Sequence, residues 1–235
     1  MTGPGADEDG FFPHHAFVTP DDADLDPRRA ATFRIAAAGR VVVDRLVATD
    51  APLEDLEEIA RGVEALAGRL DGYQHGRRYD GAGEASTTGG GPPQGHTDYS
   101  PVIGRANPSA PPLTLRAYPD RVEGTAVFGS AFEGPPGHVH GGIVAAAFDE
   151  LLGATQALSG TPGMTGTLTV VYRRPTPLDT EIRFVGELDR VEGRKIHTVG
   201  RSYAGDELLG ESTGLFIAVD FSRLAEMRRQ QQADG

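Results

Sequence analysis

Residues 132–153 read FEGPPGHVHGGIVAAAFDELLG, a run in which prolines and glycines give way to small apolar residues at helical length. The breaking residues end at His140, so a helix is predicted to begin near Gly141 and Gly142 and to end near residue 158. Backbone N–H groups that open a helix lack an intrahelical acceptor, and glycine lets a ligand atom approach them. Because the helix dipole is positive at this end, these groups suit an oxygen that gains negative charge during acyl transfer.

Two adjacent acids, Asp149 and Glu150, lie further along the same predicted helix. A carboxylate among small apolar residues is poorly solvated, which makes it more basic towards water or more reactive towards a carbonyl. Both acids have such neighbours, so periodicity does not decide between them. The alternative is that they form the solvated edge of an amphipathic helix. Small residues are also expected to let the helix lie close to a sheet; they are Ala145, Ala146, Ala147 and Gly153.

The chain of 235 residues carries 34 acidic and 22 basic residues, a formal net charge of −12. This balance opposes electrostatic capture by nucleic acid or an anionic membrane surface. There is no cysteine, which excludes disulfides, thiolate nucleophiles and zinc–thiolate sites. The first ten residues lack the features of a signal peptide, and no apolar run has the length of a membrane span. We therefore expect a cytoplasmic protein with no nucleic-acid partner and no membrane span.

The chain divides into an N-terminal helical extension with a linker, residues 1–97, and a domain at residues 98–235. Residues 28–48 and a stretch after Pro52 predict two helices paired as a hairpin, and the Gly/Pro-rich residues 81–95 predict a linker. In the second helix, apolar residues recur at helical spacing: Leu53, Leu56, Ile59, Val63, Leu66 and Leu70. After residue 98, strands are predicted on both sides of the central helix, at 113–118, 122–128, 166–172, 181–188, 195–203 and 207–219. This order predicts an α+β fold with one helix on an antiparallel sheet.

The central segment resembles the signature of hotdog-fold thioesterases, closest to the phenylacetate-pathway (PaaI-type) and mammalian thioesterase-superfamily branch. The resemblance is carried by His140-Gly141-Gly142 with Asp149 nine positions after the histidine, and by LTVVYRRPTPL at 168–178. It extends to GRK at 193–195 and SPVIGRANPSAPPL at 100–113, and covers roughly residues 99–219. It implies a hotdog fold, in which an antiparallel sheet wraps around a long central helix. It also implies an acyl-CoA thioesterase that releases a fatty or aryl acid and coenzyme A, with no other cofactor and no metal.

The resemblance assigns roles to four residues of the site. Asp149 matches the family's catalytic carboxylate, acting as base or nucleophile. Gly141, with Gly142, matches the backbone donor to the thioester carbonyl. Thr165 lies seven positions before Tyr172, where relatives place a Ser or Thr that holds the hydrolytic water.

Two further implications concern donors and cations. PaaI-type enzymes have an asparagine shortly before the histidine, whereas this chain has Gly134-Pro135-Pro136, so His140 is implied as a helper through a hydrogen bond. Arg194 and Lys195 match positions that contact the nucleotide phosphates of coenzyme A. Ordinary solvent-facing cations at a strand end are the alternative for this pair. Arg173 and Arg174 are weaker candidates.

The spacing of Gly141 and Asp149 bears on oligomeric state. Eight residues on one helix correspond to about 12 Å along its axis. One carbonyl carbon cannot contact both groups, so a working site needs Gly141 from one subunit and Asp149 from its neighbour. The resemblance implies a twofold homodimer, often doubled to a dimer of dimers.

Other functions are weighed on their own motifs. GESTG at 210–214 fits a nucleophile elbow, but it lies in a strand-like run and no histidine follows residue 197, so a serine hydrolase is not predicted. HVH at 138–140 has the spacing of two metal ligands without a third, so no metal site is predicted. A non-catalytic acyl-CoA or acyl-carrier binding module stays open. A hotdog dehydratase is less well supported because its Asp/His pairing motif is absent.

Overall fold

A computed structural model describes residue 25 and residues 27–73, 98–161 and 163–219, in which three helices and six strands form. The N-terminal helices are α1 (Pro27–Val47) and α2 (Leu53–Leu70). Then come β1 (Thr114–Ala117), β2 (Arg121–Val127) and the central helix α3 (Gly141–Gln156). The last four strands are β3 (Gly163–Tyr172), β4 (Glu181–Glu192), β5 (Lys195–Ala204) and β6 (Glu207–Ala218). Each predicted helix and strand is present.

The six strands form one antiparallel sheet in the order β1-β2-β4-β5-β6-β3, with α3 against one face. The side of α3 that meets the sheet is buried and mainly apolar, and the ring of Phe148 lies edge-on to Phe184 at 5.5 Å between centroids. Burial of this helix stripe supplies the main hydrophobic stabilisation of the fold. The α+β hotdog arrangement predicted from the sequence is confirmed.

The close approach of α3 depends on glycines in the sheet. A Cβ built at Gly186 would overlap Thr155 Oγ1 and lie 3.1 Å from Leu151 Cγ, and one at Gly214 would lie 3.1 Å from Leu152 Cδ1. The sequence-based expectation named small residues of the helix instead, and only Ala147 among them is buried against the sheet. Ala145, Ala146 and Gly153 are half-buried on another side of α3, so that part of the expectation is wrong.

We expect Gly186→Ala to lower the free energy of unfolding by about 1–3 kcal/mol, because the added methyl group forces α3 away from β4. Gly153→Ala is the matched control, since nothing lies within 4 Å of a Cβ at Gly153. It should leave stability unchanged or raise it by up to about 1 kcal/mol through helix propensity. Urea unfolding followed by circular dichroism measures both. Equal effects of the two substitutions would contradict the close-packing account.

Within the described residues, strand β3 is a free edge of the sheet, because it pairs with β6 on one side alone. It has ten residues and no charged side chain, and Met164, Val171 and Tyr172 on it are 59%, 40% and 53% exposed. Long apolar edge strands offer unpaired backbone groups to another chain unless charges or bulges prevent it. A bulge between Thr165 and Thr167 is present at one end, and the rest of the edge is regular.

Helix α1 docks on the remainder of the chain through polar contacts around a small apolar centre. The guanidinium of Arg29 donates two hydrogen bonds to the carboxylate of Asp98, at 2.7 and 2.9 Å. The guanidinium of Arg40 donates to the carbonyl of Asn107 at 2.9 Å. The carboxylate of Asp44 accepts from the amide of Ala131 at 3.0 Å. Phe33 and Ala36 are buried beneath these contacts.

Helix α2 does not pack on α1, so the predicted helical hairpin is wrong as a packed pair. None of its residues is buried, and Leu53, Val63 and Leu66 are 72%, 45% and 54% exposed. The linker predicted at 81–95 lies outside the described residues. Among the described helices, none combines the length and the apolar character that crossing a membrane requires.

Candidate active site

His140 organises the N-terminus of α3. Its side-chain Nδ1 accepts a hydrogen bond from the amide of Gly142 at 3.0 Å, and its carbonyl accepts from Ile143 at 2.9 Å and from Val144 at 3.3 Å. A nitrogen that accepts carries no hydrogen, so the ring hydrogen in this arrangement is on Nε2. His140 is therefore the N-cap residue of α3, and its role as a helper through a hydrogen bond to the thioester stays a prediction.

The amide of Gly141 has no acceptor among the described residues, whereas the Gly142 amide donates to His140. Of the two glycines expected to form the oxyanion donor, Gly141 alone presents an unpaired N–H group. The hydroxyl of Tyr172 donates to the carbonyl oxygen of Gly141 at 2.8 Å, and a Cβ at Gly141 would lie 3.5 Å from the tyrosine ring. The backbone at Gly141 is thus held between the N-cap residue His140 and the ring of Tyr172.

Tyr172 is a site residue that the sequence analysis used only as a position marker. It lies at the end of β3, opposite Gly210 of β6, with its side chain on the face of the sheet that carries α3. The YRRP motif of this strand already marked Tyr172 in the sequence. Without the register of β3 and β6, however, a strand tyrosine does not reveal which helix residue it contacts.

Asp149 and Thr165 are in contact in the same chain. The Thr165 hydroxyl donates to Asp149 Oδ1 at 3.1 Å. Thr165 pairs with Phe216 immediately before the β3 bulge, which places its side chain on the helix face of the sheet. Asp149 is half-buried and is directed towards β3, the free edge. The structure thus brings together the two residues predicted to handle water.

Glu150 lies next to Asp149 but is enclosed by a different segment. The buried Ser100 donates its hydroxyl to Glu150 Oε1 at 3.0 Å, and the Ser100 oxygen accepts from the amides of Val102 and Ile103. Burial raises the pKa of Glu150, the Ser100 hydrogen bond opposes this, and the charge of Asp149 raises the pKa further. The two acids that periodicity left equivalent therefore face different surroundings.

The raised pKa of Glu150 predicts a pH-dependent stability. A carboxyl with a raised pKa binds more protons in the folded chain than in the unfolded chain. Its contribution to the free energy of unfolding is therefore present at low pH. This contribution is lost as the pH rises from the ordinary pKa of 4.5 through the raised pKa of the folded chain. We expect Glu150→Gln, which still offers an oxygen to Ser100, to be more stable than the parent at about pH 7.5. The difference should vanish at about pH 4. Thermal unfolding at both pH values tests this, and a variant that is less stable at the higher pH would contradict it.

Two separate groups of contacts lie along the inner face of β3. The Gly141 amide lies beside Tyr172 at one end, and Asp149 lies beside Thr165 at the other. The eight-residue separation on α3 keeps the two groups about 12 Å apart along the helix axis. Both groups border the β3 edge of the sheet.

The cations predicted to bind coenzyme A lie elsewhere, at the turn between β4 and β5. The guanidinium of Arg194 donates to the Ala218 carbonyl at 3.1 and 3.3 Å, and Lys195 is exposed at the start of β5. Arg173 and Arg174 form ion pairs with Glu211 and Glu207, at 2.7 and 2.9 Å. Arg194 and Lys195 are thus the more accessible pair for a ligand phosphate.

The discarded motifs have structural roles. Residues 210–214 lie within β6, and Ser212 is buried, so this segment is not a strand-to-helix elbow. The Nδ1 of His138 is 2.8 Å from the Pro136 carbonyl, and that of His140 is engaged with Gly142. In the part of the chain that the structure describes, no group of three metal-ligating side chains occurs.

Known proteins share the fold of this chain. A family model described as Thioesterase superfamily matches residues 136–211. A crystal structure described as a thioesterase superfamily protein is 33% identical; the alignment covers 86% of this chain and 98% of that chain, with a TM-score of 0.69. Since residues 98–219 are only about half of the chain, this likeness extends into the N-terminal helices. The chain belongs to the thioesterase superfamily.

Curated relatives cover a shorter segment. Acyl-coenzyme A thioesterase THEM4 of Xenopus laevis is 38% identical over 91 residues, which are 38% of this chain and 41% of that protein. THEM4 of Bos taurus is 37% identical over 94 residues, 39% of this chain and 38% of that protein. Acyl-coenzyme A thioesterase THEM5 of Homo sapiens is 33% identical over 91 residues, 38% of this chain and 37% of that protein. The chain thus spans about two fifths of the length of these relatives.

Proposed function

We propose that this protein hydrolyses acyl-CoA thioesters to the free acid and coenzyme A. The observation that carries the proposal is the pairing of Thr165 with Asp149 at one end of β3 and the unpaired Gly141 amide at the other. A half-buried carboxylate with a hydroxyl partner can activate water, and a fixed amide can stabilise an oxyanion. The names of the curated relatives support acyl-CoA as the substrate class.

We further propose that two copies complete the site by pairing their β3 strands. Suppose that the twofold axis passes through Thr169. Val170 of one strand then lies opposite Leu168 of the other. Tyr172 lies opposite the bulge, where Thr165 directs its side chain towards the helix face of the sheet. Residues directly opposite in an antiparallel pair lie on the same face of the sheet. Gly141, beside Tyr172, then approaches Asp149 of the second copy, and symmetry forms two such sites. Two such dimers can associate further into a dimer of dimers.

In this arrangement the thioester carbonyl oxygen accepts from the Gly141 amide of one copy. Within the other copy, the Thr165 hydroxyl donates to Asp149, so the hydroxyl oxygen can accept a hydrogen bond from a water molecule. Acting as base, Asp149 takes a proton from that water while the oxygen attacks the carbonyl carbon. Collapse of the tetrahedral intermediate breaks the C–S bond, and the proton passes to the coenzyme A thiolate. Direct attack by Asp149, followed by hydrolysis of the anhydride, gives the same products.

Asp149→Asn should lower kcat/KM by about 10²–10⁴-fold, because the amide cannot take the proton. Thr165→Val should lower it by about 10–100-fold through loss of one hydrogen bond to a charged group, while Thr165→Ser retains the hydroxyl and most activity. Free-thiol release from short, long and aryl acyl-CoA substrates measures these effects. Glu150→Gln is the matched carboxylate control. Loss of activity in that control with activity retained in Asp149→Asn would move the catalytic role to Glu150.

The Gly141 amide can be tested by removing its hydrogen. Proline is tolerated at the first position of a helix and requires an extended residue before it, and His140 has φ −60° and ψ 131°. Gly141→Pro should therefore fold and lower kcat by about 10²–10³-fold, the effect of losing one oxyanion donor. Gly141→Ala keeps the N–H group and should lose less than about tenfold.

Mixed dimers test the shared site. An Asp149→Asn chain co-expressed with a Gly141→Pro chain leaves one intact site in each mixed dimer, since both defects fall in the other site. Random pairing then restores about a quarter of the parent activity, although each variant alone is inactive. No restoration would show that both groups act within one chain. Binding of acyl-CoA without thiol release in any variant or in the parent would favour a non-catalytic binding module.

Arg194 and Lys195 are proposed as contacts for the phosphates of coenzyme A, because they are exposed cations on a chain of net charge −12. The anchoring of Arg194 to the Ala218 carbonyl fixes its position and leaves other guanidinium hydrogens for a phosphate. Residues 98–235 are proposed as the catalytic domain and residues 1–97 as an accessory extension. Cytoplasmic location is part of the same proposal.

A further inference from the structure

Helix α2 carries an apolar stripe that the described residues of its own chain leave exposed. The stripe follows an alternating spacing of three and four residues, as in helices that pack against another helix: Leu56, Ile59, Val63, Leu66 and Leu70. Ile59, Val63, Leu66 and Leu70 are between 42% and 54% exposed. In proteins, most of the stability of a helix comes from packing of its amphipathic face rather than from helix propensity. The helix therefore needs a surface on which to bury this stripe.

Helix α1 offers a surface of matching character on the side away from its own domain. Ile35, Val42 and Leu46 are 66%, 42% and 43% exposed, and they lie within about 40° of one another around the helix. Arg34 and Arg45 flank them on one side. The opposite side of α1 carries the residues that dock it: Arg29, Phe33, Ala36, Arg40 and Asp44. The apolar stripe of α1 is thus open to a second helix.

The charges of the two helices are complementary. Helix α1 has five arginines and one aspartate, a net charge of +4. Helix α2 has five acids and two arginines, a net charge of −3. This difference favours pairing of α2 with α1 and opposes pairing of α2 with another α2 or with an anionic lipid surface.

The connection between the helices holds them apart in the same chain. Residues 48–52 join α1 to α2, and Pro52 is extended, with φ −64° and ψ 157°. The residue before a proline is also restricted to extended conformations, which stiffens the connection. Helix α2 is about 27 Å long and does not pack on the α1 of its own chain. A short stiff hinge of this kind favours exchange of the element between two copies.

We propose that α2 of one copy packs on the exposed stripe of α1 of a second copy, so that two copies exchange their N-terminal arms. This contact differs from β3 pairing and does not depend on catalytic activity. This contact explains why one chain has two helices of opposite net charge, each with an exposed apolar stripe.

Because the chain has no cysteine, engineered cysteines test the contact without background. The full chain with Val42→Cys is mixed with a differently tagged chain that carries Ile59→Cys, Val63→Cys or Leu66→Cys, so that the unknown register is sampled. We expect a disulfide-linked heterodimer under mild oxidation for at least one of the three, and its loss after reduction. Gly68→Cys, on the opposite side of α2, is the control and should not cross-link to Val42→Cys.

Each other outcome overturns the proposal. A chain with both Val42→Cys and Val63→Cys that forms only an intrachain disulfide indicates a hairpin within one copy. Cross-linking of the α2 variants only to themselves indicates α2–α2 pairing. Absence of any cross-link at all three positions, with circular dichroism of a folded chain, means that α1 of a second copy does not cover α2.

Discussion

The contact between α3 and the glycine-containing face of the sheet determines the geometry of everything else. Glycines such as Gly186 and Gly214 remove the side chains that would hold the helix off, so α3 lies against β4, β5 and β6 with a fixed height and direction. With the helix so placed, its start meets Tyr172 and its third turn meets Thr165. The two ends of β3 thereby acquire different chemistry, an amide donor at one and a carboxylate at the other.

The sequence pattern predicted the order and kind of all helices and strands in the described part of the chain, because alternation and helical periodicity are local properties. Strand ends were less accurate where a bulge interrupts alternation: β3 begins at Gly163 rather than residue 166, and β4 ends at Glu192 rather than residue 188. The bulges between Thr165 and Thr167 and between Leu188 and Arg190 account for both extensions. Which small residues meet across the helix–sheet contact was not predictable, since that depends on register rather than composition.

The adjacent acids show what periodicity can and cannot decide. Asp149 and Glu150 are about 100° apart on α3, so both fit the edge of an apolar face. The path of residues 98–113 gives the two acids different surroundings. Ser100 of this segment binds Glu150, whereas Asp149 faces β3 and binds Thr165. A carboxyl whose pKa is raised by burial carries less negative charge near that pKa.

The N-terminal extension is connected to the same turn of α3 by a short series of contacts. Arg29 of α1 holds Asp98, and two residues later Ser100 holds Glu150, the neighbour of Asp149. Asp98 and Ser100 are both buried, so neither contact can be replaced by water without cost. Displacing α1 would leave the Asp98 carboxylate buried without its guanidinium partner and would strain the segment that encloses Glu150. The position of α1, and of any helix that packs on it, is therefore tied to the surroundings of the acid pair rather than being independent of them.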